Sequence, residues 1–244
     1  MSFEIIDTHI HLASSSLSND WADNDLNSDA KSMHPNMAKE VSRCAGDLTL
    51  QSLVNEIAEI ENINVQRMVF VECNNDQGSI EEAKWVLDMA KDPNLPVCAV
   101  VAHIPVPEGE EAVRNYLSSI VSWHSTSATS TSSTSTTTLP QSLRGGRVVL
   151  LGNPMPPADA CLSDKYDAGL SVLEEYGLHW EWCCHSSALL HIAKVCNKHP
   201  NMTFVLNHLG RNGGTLFEKS NFKLCIFMLF ILIFCFLFFF YVIL

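Results

Sequence analysis

Positive charge is scarce in this chain: 15 Lys and Arg stand against 27 Asp and Glu, a net charge of −12 over 244 residues. No basic stripe is available to neutralise phosphates, which argues against a nucleic-acid partner. The nine Cys fall at irregular spacings and form no C-x-x-C pair. That pattern indicates neither a disulfide framework nor a zinc knuckle, and reduced, mostly buried thiols of an intracellular protein are expected. The N-terminus has no basic n-region and no apolar h-region, so no signal peptide is read there.

What the chain does have is an alternation of strand-like and helix-like segments. The first twelve residues, Met1 to Leu12, read as a short apolar strand ending in His-x-His. A polar stretch over residues 13 to 47 reads as a long loop. Leu50, Leu53, Val54, Ile57 and Ile60 then recur at helical spacing. Arg67 to Glu72 and Val97 to His103 are buried-strand runs. Between them Ser79-Ile80-Glu81-Glu82 reads as a capping box ahead of an apolar stripe through Ala83, Val86, Leu87 and Ala90. Val113, Tyr116, Leu117, Ile120 and Val121 mark a third helix, and Arg147 to Leu151 a fourth strand. A helix over Tyr166, Leu170, Leu173 and Tyr176 is stopped by Gly177. Leu178 to Cys184 and Met202 to Leu206 supply strands five and six, with a helix from Leu189 to Val195 between them. Of Trp180 and Trp182 on strand five, one is expected to pack in the core.

Strands alternating with helices predict parallel βαβ units. The reading is α/β: an incomplete TIM (β/α)8-type barrel of about six βα units, two short of closure. Two segments break the pattern. Residues 125–138 hold 13 Ser or Thr in 14 positions, too polar to bury a core, and read as a flexible insertion in a barrel domain spanning 1–213. Residues 224–244 are 21 consecutive apolar residues, and the segment from Phe222 carries eight of the chain's twelve Phe. That length spans a bilayer as a helix. Arg211, Lys219 and Lys223 precede it, which would keep the barrel in the cytosol. Residues 222–244 are therefore read either as a C-terminal membrane anchor or as translated non-coding sequence.

Four histidines fall at strand ends, where a barrel aims side chains at one point. His9 and His11 lie two apart at the end of strand one and so share a face. His185 ends strand five, and His208 follows strand six in Asn207-His208-Leu209-Gly210. Converging imidazoles make part of a metal site or an acid/base group. Glu72 and His103, ending strands two and three, either line the same pocket or are ordinary polar strand ends. Asp7 is read as a structural residue at the strand start.

Ile6-Asp7-Thr8-His9-Ile10-His11, taken with Asn207-His208-Leu209-Gly210, resembles the amidohydrolase-related branch of the amidohydrolase superfamily. That branch includes lactonases acting on pyrone-dicarboxylate and fuconolactone, and zinc-dependent decarboxylases. The resemblance runs from about residue 3 to about 213. Arg144 to Arg147 (RGGR) also resembles its strand-four segment, which implies Arg147 as a holder of an anionic substrate. By the same resemblance His9, His11 and His185 would ligate one divalent metal, usually zinc, and His208 would orient or deprotonate the attacking water. Lactonase members also act without metal, so both chemistries stay open. The implied function is lactonase-like hydrolysis of a small carboxylated metabolite, with Arg147 and Glu72 as substrate-binding residues. The family's closing Asp on strand eight has no counterpart here, Asn207 stands where Asp is common, and Arg211-Asn212 replaces Lys-Pro. Two other readings are therefore carried: a non-catalytic, membrane-tethered remnant, and an incomplete gene model of the same enzyme.

Overall fold

The computed structural model of the chain describes residues 3–14, 49–72, 78–127, 138–151 and 156–210. Most of the polar stretch, most of the Ser/Thr-rich insertion and the whole apolar segment 222–244 lie outside the described residues. Among the described residues, no helix is long and apolar enough to cross a membrane.

Six strands form one parallel sheet in the order β1-β2-β3-β4-β5-β6. They are β1 (Phe3–Ile10), β2 (Ile63–Val71), β3 (Val97–His103), β4 (Leu143–Leu150), β5 (His179–Cys184) and β6 (Phe204–Leu206). The helices are α1 (Leu50–Ala58), α2 (Ser79–Met89), α3 (Glu110–Ser127), α4 (Asp164–Glu175) and α5 (Leu189–Lys198). One helix connects each neighbouring pair of strands, and the sheet curls into an incomplete TIM-like half-barrel. Among the described residues β1 and β6 form its two edges, and Phe3, Ile6, Val205 and Leu206 on those edges are exposed.

Local chemistry accounts for the helix ends. Thr49 and Ser163 cap α1 and α4 by accepting the N–H groups of Ser52 and Tyr166, as short hydroxyl side chains do at N-caps. At the C-terminus of α4, Gly177 takes φ 67°. Leu178 N–H then returns to the Leu173 carbonyl and Gly177 N–H to that of Glu174, a Schellman closure. The expected capping box at α2 does not form. Gly78 is the N-cap and has no side chain to cap with, and Ser79 is already the first helical residue. The Ser79 carbonyl instead accepts the Tyr116 hydroxyl at 3.2 Å.

The core lies between the sheet and the helices. Phe70, Leu87, Leu117, Ile120, Tyr166, Leu170, Leu173, Trp180 and Trp182 are all sealed from solvent. Both tryptophans go inside, a correction to the expectation of one. Residues two apart on a strand share a face, so Trp180 and Trp182 travel together toward α4, and Glu181 between them faces the other way. Helix α4 also packs closely on the turn after β3, where a Cβ built at Gly169 would stand 2.4 Å from the Val106 carbonyl oxygen. Gly169→Ala is expected to cost about 1–3 kcal/mol by overpacking. A urea midpoint that falls at constant slope would show it; an unmoved midpoint would mean the helix lifts at no cost.

Candidate functional site

The C-terminal end of β1 carries the first two site residues. Its pairing with β2 shifts register between Asp7 and Ile10, and Asp7 Oδ1 accepts the His9 backbone N–H at 3.1 Å. Asp7 thus has a local structural task. The kink brings His9 and His11 together, with their Nε2 atoms 3.3 Å apart and their rings edge to face at 4.9 Å. His11 Nδ1–H donates to the Val71 carbonyl at 2.8 Å, which leaves the His11 Nε2 lone pair turned toward His9.

His208 joins this pair from the far edge. The turn after β6 runs through three successive left-handed residues, His208 (φ 50°), Leu209 (φ 54°) and Gly210 (φ 68°). Only Gly adopts that region freely, so the His208 and Leu209 conformations are strained. The turn sets the His208 ring 5.2 Å from that of His9.

Arg147 is the fourth member. It is 2% exposed, and its Nη1–H groups reach His9 Nε2 at 3.4 Å and Asn207 Oδ1 at 3.2 Å. Its Nε–H donates to Glu72 Oε1 at 2.6 Å, and its Nη2–H to the Glu72 carbonyl. Behind this pair the network continues both ways. His103 Nδ1 lies 3.5 Å from Glu72 Oε2, Asn207 Nδ2–H donates to Glu181 Oε2 at 2.9 Å, and His179 Nε2 lies 3.2 Å from Glu181 Oε1. Residues on or directly after all six strands thereby contribute to one polar chain.

The charges set the titration behaviour. Burial above all, then the neighbouring His11, Arg147 and His208, lower the His9 pKa to about 4, so His9 is neutral at pH 7. Burial also lowers His11, against the opposing pull of its bond to Val71. Burial works against the charges of Glu72 and Glu181. For Glu72 the bond to His103 and the charge of Arg147 outweigh it, and for Glu181 the bonds to His179 and Asn207 do; both carboxyls sit below their ordinary range.

The structure thus gathers His9, His11, His208 and Arg147. His185 is held otherwise. Its Nδ1 accepts the Ser187 backbone N–H at 3.2 Å and lies 3.0 Å from the Ser187 hydroxyl. A neutral imidazole that accepts at Nδ1 carries its proton on Nε2, so this ring offers no lone pair for a metal. Glu72 is fully buried, and both its carboxylate oxygens face protein partners.

Two Nε2 atoms 3.3 Å apart match the separation of two nitrogens about 2.0–2.1 Å from one tetrahedral zinc. Two donors are too few, and among the described residues no three His, Cys, Asp or Glu side chains converge to hold an ion. The described residues therefore do not make a complete metal centre.

Sequence reading missed Glu181, and treated Asn207 only as a departure from a pattern. A signal existed for Glu181: a carboxylate between two tryptophans in a buried strand requires a partner. Beside the network, at the C-terminal rim, lies a hollow of about 700 Å³. His103, Ser79, Asn115, Tyr116 and Leu150 help line it, and its size suits a small molecule.

A family model described as amidohydrolase matches residues 6–218. Among solved structures, the chain is similar to an amidohydrolase from Bifidobacterium longum subsp. infantis, at 19% identity and a TM-score of 0.53, covering 90% of this chain and 66% of that one. It is similar also to a Burkholderia multivorans amidohydrolase with bound zinc, at 17% identity and a TM-score of 0.54, covering 90% and 63%. A 2,6-dihydroxybenzoate decarboxylase from Rhizobium matches at 11% identity and a TM-score of 0.50, covering 86% and 67%. The chain thus spans 66% and 63% of the length of the two amidohydrolases. No curated protein matches it.

Proposed function

Because the chain belongs to the amidohydrolase family, we propose that its site hydrolyses a small carboxylated metabolite, of lactone type. The observation that carries this is one guanidinium fixed against His9, which in turn meets the rings of His11 and His208 at the rim of the half-barrel. Arg147 is a permanent cation, and its charge favours a substrate carboxylate or the oxyanion that forms when water adds to a carbonyl. His9 is neutral at pH 7 and its ring orients through its nitrogens. His208, at the exposed end of the cluster, takes the proton of the attacking water and returns it to the leaving alkoxide. No step in this scheme requires a metal.

The test is proton release at constant pH by the purified full chain, offered a panel of five- and six-membered lactones bearing a carboxylate. Turnover is expected on at least one. His208→Gln is expected to lower kcat by about 10²- to 10⁴-fold, the range for loss of a general base, without altering the unfolding midpoint. A panel hydrolysed no faster than in buffer, or a His208→Gln variant as active as wild type, would overturn the reading.

A further inference from the structure

We infer that Arg147 is a built-in cation standing where a divalent metal would bind, so that the His9–His11 pair excludes metal ions. The inference rests on the site reading above and deepens it, since it fixes what supplies positive charge there. The argument starts from lone pairs. His9 Nε2 has a single in-plane lone pair, and the Arg147 Nη1 group, which can only donate, stands 3.4 Å from it. A nitrogen accepting an N–H cannot simultaneously coordinate an ion. His11 is oriented by the Val71 carbonyl, the type of outer contact that holds metal-ligating histidines. Its Nε2 points at His9 with a separation suited to a shared tetrahedral ion. One half of the pair is therefore prepared for coordination, and the other is blocked by the guanidinium.

The guanidinium cannot swing away freely. Glu72 holds its Nε and Nη2 edges through a carboxylate oxygen and a backbone carbonyl, and Asn207 holds Nη1. A dication between the histidines would meet a fixed positive charge, and the compensating Glu72 carboxylate is committed to Arg147 and His103. The paired carboxylate keeps the arginine in place, and the arginine keeps the metal out.

Cobalt(II) titration followed by its visible ligand-field bands tests this. The wild-type chain is expected to show no saturable tetrahedral spectrum. Arg147→Met combined with Glu72→Gln removes the cation without stranding a buried charge. It is expected to gain a weak but saturable cobalt spectrum, with water completing the two histidine donors, at concentrations about tenfold or more below any wild-type response. Adding His9→Ala to that pair should abolish the gain. Saturable binding by wild type that disappears in His9→Ala, or no gain in the folded double variant, would overturn the inference. Should the double variant fail to fold, zinc titration of the wild type with imidazole nitrogen NMR decides: unmoved His9 and His11 signals are expected, and displaced ones refute it. Neither readout uses turnover, so an inactive protein that excludes cobalt sinks only the hydrolase reading, and an active one that binds it sinks only this one.

Discussion

Arg147→Met should lower the unfolding free energy by about 3–5 kcal/mol, the cost of leaving a buried charge without its partner. Glu72 is 0% exposed, and its pairing with Arg147 is shorter than any other ion pair described. Truncating the guanidinium takes from the carboxylate its permanent cation and leaves it facing His103. Glu72→Gln added to the same chain should recover most of the loss, because the charge goes and the volume stays.

The pH dependence carries a signature of its own. In the wild type the Glu72 pKa lies below its ordinary value, burial being outweighed by the His103 bond and the Arg147 charge. The unfolded carboxyl, near pKa 4.3, then binds more protons than the folded one. Its stabilisation is present above that pKa and is lost as the pH falls through the lower folded value. In Arg147→Met, burial acts with less opposition and the order of the two pKa values reverses. Protonation then relieves the folded state. The stability gap between the two proteins should be widest near neutrality and narrow toward pH 4. Urea unfolding from pH 4 to 7 measures it, and a gap independent of pH would show that Glu72 is not the charge concerned.

Trp182→Ala is the second large effect, expected at about 3–5 kcal/mol for a fully buried tryptophan. Trp182 is 1% exposed. Its ring stacks on Tyr166 at 5.5 Å and 16° and on Phe204 at 6.0 Å and 21°, with Trp180 edge-on at 6.0 Å. It therefore joins α4 to β5 and β6 in one aromatic stack, and its removal opens a cavity that three rigid rings cannot collapse into. Trp182→Phe keeps the stack and should cost less than half as much. A urea midpoint equal for the Ala and Phe variants would mean that the loss is not a matter of packing.

The alternation of strands and helices was legible because buried parallel strands are near-continuous apolar runs, as in Val97 to His103, and the helices between them carry clear stripes. The start of β4 was not. The apolar run placed the strand at Arg147 to Leu151, whereas it begins at Leu143. Gly145 and Gly146 lie in the strand because a side chain has no room: a Cβ at Gly145 would lie 2.5 Å from the His179 ring, and one at Gly146 would lie 2.9 Å from Ile104. The clustering of His9, His11 and His208 could be anticipated from their strand-end positions. The partners of Arg147 could not. Glu72 and Asn207 lie 75 and 60 residues away, and no local periodicity encodes a pairing across strands. His185 shows the converse, a residue at a strand end whose ring is held by Ser187 two positions later, a local contact that its strand position does not announce.

Each strand after β1 hydrogen-bonds to the strand made just before it. A nascent chain emerging N-terminus first therefore never waits for a distant partner, since each new strand meets a sheet edge that already exists. The polar chain inherits that order. Glu72 arrives on β2, meets His103 with β3 and Arg147 with β4, so its charge is answered before β5 has been synthesised. Glu181 then arrives beside His179, and Asn207 comes last to link the two halves. Synthesis from one end thus neutralises each buried charge about as soon as folding would bury it.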